Sequence, residues 1–318
     1  MRAARVTKYG SIAVGDAAKP RPAADEVLVH VRASSVNAVD WYGFKGRPYV
    51  GRLLMGLRKP KSSELGGDFA GVVEAVGADV ADFEPGDEVF GCDGGTFAEY
   101  IVATPVVERK PTNLSFEEAA AVPVAGFTAL QGLRDHGGLQ PGQLVVVNGA
   151  SGGVGTFAVQ VAKALGAEVH AVCSTRNVEQ ARQLGADRVF DYTREDFTRS
   201  GARYDVFFDN AGNRSWHAMR RVLAPTGTVV LVGGPRNRRL LGPLGHIVRI
   251  KLAAKIGRRT ASFFIAKPNR ADLAVLRELL EAGRVKPVVE QRFELAQIAE
   301  AMRGMGEGHA RGKTVVTL

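Results

Sequence analysis

Only two cysteines stand in the 318 residues, Cys92 and Cys173, 81 positions apart. Neither a disulfide framework nor a Cys-x-x-Cys metal knuckle can be built from them, and a structural zinc site, which needs several clustered thiolates or imidazoles, is not expected. Aromatics are scarce, at 7%. The chain has 42 Lys and Arg against 33 Asp and Glu, a net charge of +9, but the basic residues are spread out. Spread charge with few aromatics argues against nucleic-acid binding. No run approaches the ~18 uninterrupted apolar residues of a membrane-spanning helix. The opening Met1-Arg2-Ala3-Ala4-Arg5 lacks the apolar core of a secretory signal. A globular, cytoplasmic protein without an integral membrane segment is expected.

At this length, with 45% hydrophobic residues, two domains can each fill a core. Residues 1–113 read as β-rich: Val27-Leu28-Val29-His30-Val31 and Gly71-Val72-Val73-Glu74-Ala75-Val76 alternate with Gly, Pro and Asp turns, which suggests a β-barrel-like lobe. Pro85-Gly86 and Gly94-Gly95 mark tight turns feeding strands. From 114 the period changes. Ser115-Phe116-Glu117-Glu118 has the form of a capping box, and strand candidates at 143–147, 168–173, 188–190, 205–208 and 228–232 then alternate with helix-length segments. That alternation predicts a parallel sheet covered by helices, a Rossmann-type α/β domain. After about 285 short strands return, ending in Lys313-Thr314-Val315-Val316-Thr317-Leu318. The expected division is therefore a discontinuous domain of residues 1–113 and 285–318, with a nucleotide domain of 114–284 inserted in it.

The most informative stretch is Leu144-Val145-Val146-Val147-Asn148-Gly149-Ala150-Ser151-Gly152-Gly153-Val154-Gly155. An apolar strand runs into a glycine turn. After it, Val154, Phe157, Ala158, Val161, Ala162 and Leu165 fall on one face of a helix. Unpaired N–H groups and the dipole at such a helix start favour pyrophosphate. The residues fit A-x-G-x-x-G, with Ala150, Gly152 and Gly155 at the three positions, and Ser151, Gly153 and Val154 between them complete the candidate cradle. At the end of the second strand, where NAD sites carry a carboxylate for the ribose, the sequence reads Cys173-Ser174-Thr175-Arg176. Two hydroxyls and a guanidinium suit a 2′-phosphate, so NADPH is the expected cofactor; the alternative is that Ser174 to Asn177 cap the next helix, and a residue can do both. Ligands in open α/β sheets bind at the carboxyl ends of the strands. That rule adds Tyr192, Asn210-Ala211-Gly212 and Val232-Gly233-Gly234.

Val36-Asn37-Ala38-Val39-Asp40, Gly66-Gly67-Asp68-Phe69-Ala70-Gly71, Phe83 to Val89, Gly95 to Tyr100, Gly149 to Gly155, Leu184-Gly185-Ala186-Asp187 and Gly308-His309-Ala310-Arg311-Gly312-Lys313 together resemble the zinc-independent quinone oxidoreductase (zeta-crystallin-like) branch of the medium-chain dehydrogenase/reductase superfamily. The likeness covers nearly the whole chain. It implies a GroES-like catalytic domain beside the Rossmann domain, and a homodimer joined through the edge of the nucleotide domain. Zinc-dependent members have a catalytic Cys near the position of Asn37 and a Gly-His-Glu where Gly67-Asp68 stands, so the resemblance implies no metal. The implied chemistry is hydride transfer from NADPH to a small quinone or α,β-unsaturated carbonyl, whose conjugation spreads the incoming charge. The resemblance also places Asn37, Asp40 and Tyr42 near the nicotinamide end, with Tyr42 a proton donor or a packing aromatic. Phe263, Phe264, Arg311 and Lys313 fall near the cofactor on the same ground, although Lys313 reads equally as a solvated strand residue.

Two basic stretches suggest other roles. Pro235 to Arg259 carries Ile247, Val248, Ile250, Leu252, Ala253 and Ile256 among its cations; it reads as a helix covering one rim of the cofactor cleft with a solvated basic face, with an acidic membrane surface as the second reading. Arg52 to Lys61 suits an anionic substrate or a lid. Cys92 has no neighbouring His to activate it. The alternative to an enzyme is an NADPH-binding sensor or structural protein without turnover.

Overall fold

The computed structural model describes residues 1–104, 106–234, 240, 242–255, 258–308 and 310–318. Residues 235–239 of the basic stretch, Ile256 of its apolar series and His309 of the tail motif lie outside the described residues. Two compact units are formed, one from 1–125, 268–283 and 287–318, the other from 126–267 and 284–286.

In the first unit β1 (Arg2–Lys8) and β2 (Ser11–Asp16) form a hairpin. β3 (Val27–Val36) is followed by α1 (Ala38–Lys45) and the short α2 (Arg52–Met55). β4 (Asp68–Val76), β5 (Glu88–Cys92), β6 (Tyr100–Ala103) and β7 (Val107–Arg109) complete this stretch. β3 pairs antiparallel with β4 and β6, β4 with β5, and β5 with β7. Val29, Val31, Phe69, Val73 and Val89 fill the space beneath. The turn at Pro85-Gly86 is as expected, with Gly86 at φ +101°, a conformation that costs a glycine little. The Ser115/Glu118 capping box forms in both directions and opens α3 (Phe116–Ala120). α3 packs on β3 and β4, so this unit extends to Ala125, beyond the expected boundary at 113.

α4 (Pro123–Gln131) leads to the second unit. β8 (Leu144–Asn148), α5 (Gly153–Ala164), β9 (Glu168–Cys173), α6 (Val178–Gln183), β10 (Arg188–Asp191), β11 (Tyr204–Asp209), α7 (Trp216–Val222), β12 (Leu223–Leu231), α8 (Leu244–Ala254) and β13 (Thr260–Phe263) alternate along it. The described strands are all parallel, in the order β10-β9-β8-β11-β12-β13. This is the doubly wound arrangement whose order reverses beside the first strand. Val145, Val146, Val147, Phe207, Val229 and Val230 are wholly buried, as strands covered on both faces must be. The sixth strand, β13, was not among the sequence candidates: Thr260-Ala261-Ser262-Phe263 has one large apolar side chain and no apolar run.

α9 (Arg270–Glu281) returns to the first unit, where it packs on β7. That packing takes 268–283 out of the expected nucleotide domain. β14 (Val289–Glu294), α10 (Ile298–Glu307) and β15 (Lys313–Thr317) follow. β15 pairs parallel with β14 and antiparallel with β3, seating the tail in the first sheet as expected. Among the described residues no helix is long and apolar enough to cross a membrane.

Candidate cofactor and catalytic site

In the second unit β8 ends at Asn148 and the chain turns through Gly149, at φ +90°, into α5. The helix is capped by Gly152 without a side-chain hydrogen bond, so its first N–H groups remain available to an anion. A Cβ on Gly155 would run into the Gly149 carbonyl and the Ala150 backbone. Phe157, Ala158, Val161 and Ala162 are buried, so packing of the helix body holds its start in place.

The loops after β11 and β12 crowd the same turn. Asn210 Nδ2 donates to the Gly149 carbonyl at 3.2 Å, and the amides of Asn210 and Ala211 donate to Asn148 O. Asp209, wholly buried, accepts from Asn148 Nδ2 at 2.8 Å and from the Gly212 amide at 3.0 Å. Side chains are excluded where these loops meet: a Cβ on Gly233 would strike Asn210 O, and one on Gly212 would strike Gly234. Ala150 to Gly155, Asn210 to Gly212 and Val232 to Gly234 are thus brought together.

Ser174, Thr175 and Arg176 follow β9, and the Tyr192 amide donates to Cys173 O at 3.0 Å, which sets half-exposed Tyr192 beside them. Asn177 Nδ2 donates to Ser174 Oγ, and Asn177 caps α6. Sequence reasoning missed Asp191 here. It ends β10, and Thr175 Oγ1 donates to it at 2.6 Å while the Thr193 hydroxyl donates at 2.7 Å. These hydroxyls hold its carboxyl below the usual range. It lies 18 positions from Cys173, and only the parallel pairing of β9 with β10 brings it to the loop. Phe263 packs against the core of this unit. Phe264 stacks on His136 with centroids 4.2 Å apart.

The first unit holds a separate buried polar cluster. Asn37 caps α1, and the Asn37 amide donates to Asp40 Oδ2 at 2.8 Å; the Gly66 amide donates to Asp40 Oδ1 at 3.0 Å. Asp68, the first residue of β4, lies opposite Ser35 of β3. It accepts from Ser35 Oγ at 2.6 Å, from Asn37 Nδ2 at 2.8 Å and from the Val124 amide at 2.8 Å. Lys313, from β15, inserts its ammonium here, 2.6 Å from Asn37 Oδ1 and 3.1 Å from Asp68 Oδ2. It is 3% exposed, not a solvated strand residue. Arg311 precedes it, its amide donating to Glu290 Oε2. Burial, reinforced by Asp68, raises the Asp40 carboxyl to about 7. Tyr42, one residue beyond buried Trp41, packs edge-on against its ring.

A zinc ion does not fit this cluster. The ammonium of Lys313 donates to the Asn37 and Asp68 oxygens that a metal would need, and a divalent cation there would sit beside that positive charge. Cys92 lies opposite Asp68 across the sheet, where burial and the nearby Asp68 and Asp93 push its thiol up. Among the described residues no group of three or more His, Cys, Asp or Glu is placed to hold a metal.

Two family models match, the alcohol dehydrogenase GroES-like domain over residues 23–111 and a zinc-binding dehydrogenase domain over 184–316. Among solved structures, the quinone oxidoreductase of Coxiella burnetii superimposes with a TM-score of 0.88 at 30% identity, covering 100% of this chain and 99% of its own. The chain belongs to the quinone oxidoreductase branch of the medium-chain dehydrogenase/reductase superfamily. Among relatives in this superfamily, the human mitochondrial NAD(P)H oxidoreductase RTN4IP1 is 35% identical, over 92% of this chain and 82% of its own length. The 2-methylene-furan-3-one reductase of Solanum lycopersicum is 34% identical, over 99% and 79%. Membership makes the chain an oxidoreductase that uses a nicotinamide cofactor, and it fits the built phosphate turn at the start of α5.

Proposed function

We propose that the protein oxidises NADPH and delivers the hydride to a quinone or an α,β-unsaturated carbonyl, without a catalytic metal. The observation that carries this reading is the turn from Gly149 to Gly155, where close backbone approach and an uncapped helix start leave room and donors for a pyrophosphate. NADPH supplies the hydride. Ser174 and Arg176 provide a hydroxyl and a guanidinium for the 2′-phosphate. Thr175 is committed to Asp191, which stays ionised; Arg194 Nε lies 3.4 Å from that carboxylate and offsets part of its repulsion of a phosphate. Tyr192, Asn210 to Gly212, Val232 to Gly234, Phe263, Phe264 and Arg311 complete the proposed cofactor contacts; the ammonium of Lys313 is instead taken up by Asn37 and Asp68.

Metal independence is supported by the ammonium in the Asn37–Asp68 cluster. With no Lewis acid to polarise an isolated carbonyl, the acceptor must stabilise the transferred charge itself, and a conjugated carbonyl does so by delocalisation. Asn37 and Asp40 shape the start of α1, and Tyr42 carries a phenol that donates a proton to the developing enolate oxygen. The name of the tomato relative describes reduction of an enone and that of the Coxiella protein a quinone oxidoreductase, and both acceptor classes belong in the test. Stopped-flow or steady-state NADPH oxidation with a panel of quinones, enals and enones, before and after exhaustive chelation, is expected to show turnover that chelation leaves unchanged. Loss of activity on chelation, restored by zinc, overturns the metal-free reading.

A further inference from the structure

Between Asp209 and Asp272 the chain has no Asp or Glu, yet thirteen of its 42 Lys and Arg stand there. Outside that stretch acids outnumber bases, so the positive balance is not spread along the chain as composition suggested but comes from one segment, whose cations all belong to the second unit except Arg270. α8 lies within it. Ile247, Ile250 and Ala254 are buried and attach the helix to its unit. The opposite face is open: Leu244, Val248 and Leu252 are 43%, 54% and 58% exposed. They recur every four residues, so they form one stripe. Arg249 is exposed on one side of the stripe, and Lys251 and Lys255 on the other, with exposed Arg258 beyond the helix end. Leu240, before the helix, is 66% exposed.

We propose that α8 is an interfacial helix that seats the protein on an anionic lipid bilayer. An apolar stripe bordered by cations is the pattern of helices that lie in the plane of a membrane surface, the aliphatic groups entering the headgroup boundary while the cations meet lipid phosphates and carboxylates. Three half-exposed aliphatic side chains partition weakly alone; each cation near an anionic surface multiplies the partition by about fivefold, so attachment needs both sets. The charge pattern selects this occupant over two others. Nucleic acid gains from stacking aromatics, and the exposed stripe has only aliphatic side chains. A second copy docked by the same face in two-fold fashion would set like charges against each other.

The test is co-sedimentation of the full chain with vesicles of phosphatidylcholine alone and of phosphatidylcholine with phosphatidylserine, at physiological and at high salt. Binding to the phosphatidylserine vesicles only, weakened by salt, is expected. Replacing the three helix cations together (R249Q, K251Q, K255Q) should lower the partition on the order of a hundredfold, and V248S with L252S should lower it several-fold at unchanged charge. Circular dichroism and urea unfolding verify that both variants are folded. The proposal fails if wild-type protein ignores anionic vesicles, or if the serine variant binds them as well as wild type. It fails equally if the serine variant converts an oligomer to monomers in sedimentation velocity, which would assign the stripe to a second copy. No readout depends on turnover, so the outcome is separate from that of the redox reading.

Discussion

Nζ of Lys313 lies 2.6 Å from Oδ1 of Asn37, so a residue of the last strand and the N-cap of α1, 276 positions apart, share a buried hydrogen bond. Asp68 completes the group at 3.1 Å from the same ammonium. Both charges are almost fully enclosed, and removing one strands the other. Lys313→Met is therefore expected to destabilise the fold by about 3–5 kcal/mol. The double variant Lys313→Met with Asp68→Leu should recover part of that loss, as measured by urea unfolding. Equal destabilisation by single and double variants would show that the pair is not coupled.

Asp40 supplies a pH dependence. Its carboxyl is raised from 3.8 to about 7 by burial and by Asp68, so between those values the folded state holds a proton that the unfolded state has released. Stability from this group is fully present below the unfolded value and is lost as pH rises through about 7. Asp40→Asn should flatten the slope of unfolding free energy across that window, followed as urea midpoints at several pH values. An unchanged slope would place the titrating group elsewhere.

Gly155→Ala tests the turn. The added methyl would collide with the Gly149 carbonyl, displacing the helix start and its N–H donors. NADPH affinity should fall roughly ten- to hundredfold, the worth of charge-assisted hydrogen bonds, in a fluorescence titration, with little change in the thermal midpoint of the first unit. Gly94→Ala, where a Cβ meets nothing within 4 Å, should leave binding as it is.

Arg176→Ala addresses the choice of cofactor. A lost guanidinium–phosphate contact should weaken NADPH by about ten- to hundredfold and leave NADH little changed. Equal weakening of both by calorimetry would remove Arg176 from the 2′-phosphate.

Much of the second unit was legible along the chain because its signals are local. Valine-rich β8, the glycine turn and the apolar face of α5 sit within about twenty consecutive residues, and each has its own period or backbone requirement. The Ser115/Glu118 box was equally readable. What could not be read lies where partners are distant. Asp191 reaches Thr175 only through the pairing of β9 with β10, and β13 carries only one large apolar side chain. The apolar series around α8 looked uniform as text, yet the fold buries Ile247 and Ile250 and leaves Val248 and Leu252 outside.

Composition and local pattern were sufficient for the parallel α/β unit, the β-rich unit completed by the tail, and the phosphate turn, because backbone geometry and hydrophobic period act over a few residues. The extent of each unit was not, since α3 and α9 join the first unit through packing against β3, β4 and β7. Nor was the state of Lys313, which the strand pattern left open to solvent. Its burial follows from β15 pairing with β3, which carries the ammonium to Asn37 and Asp68; charge burial is decided by which groups meet in space, and those three come from positions 37, 68 and 313.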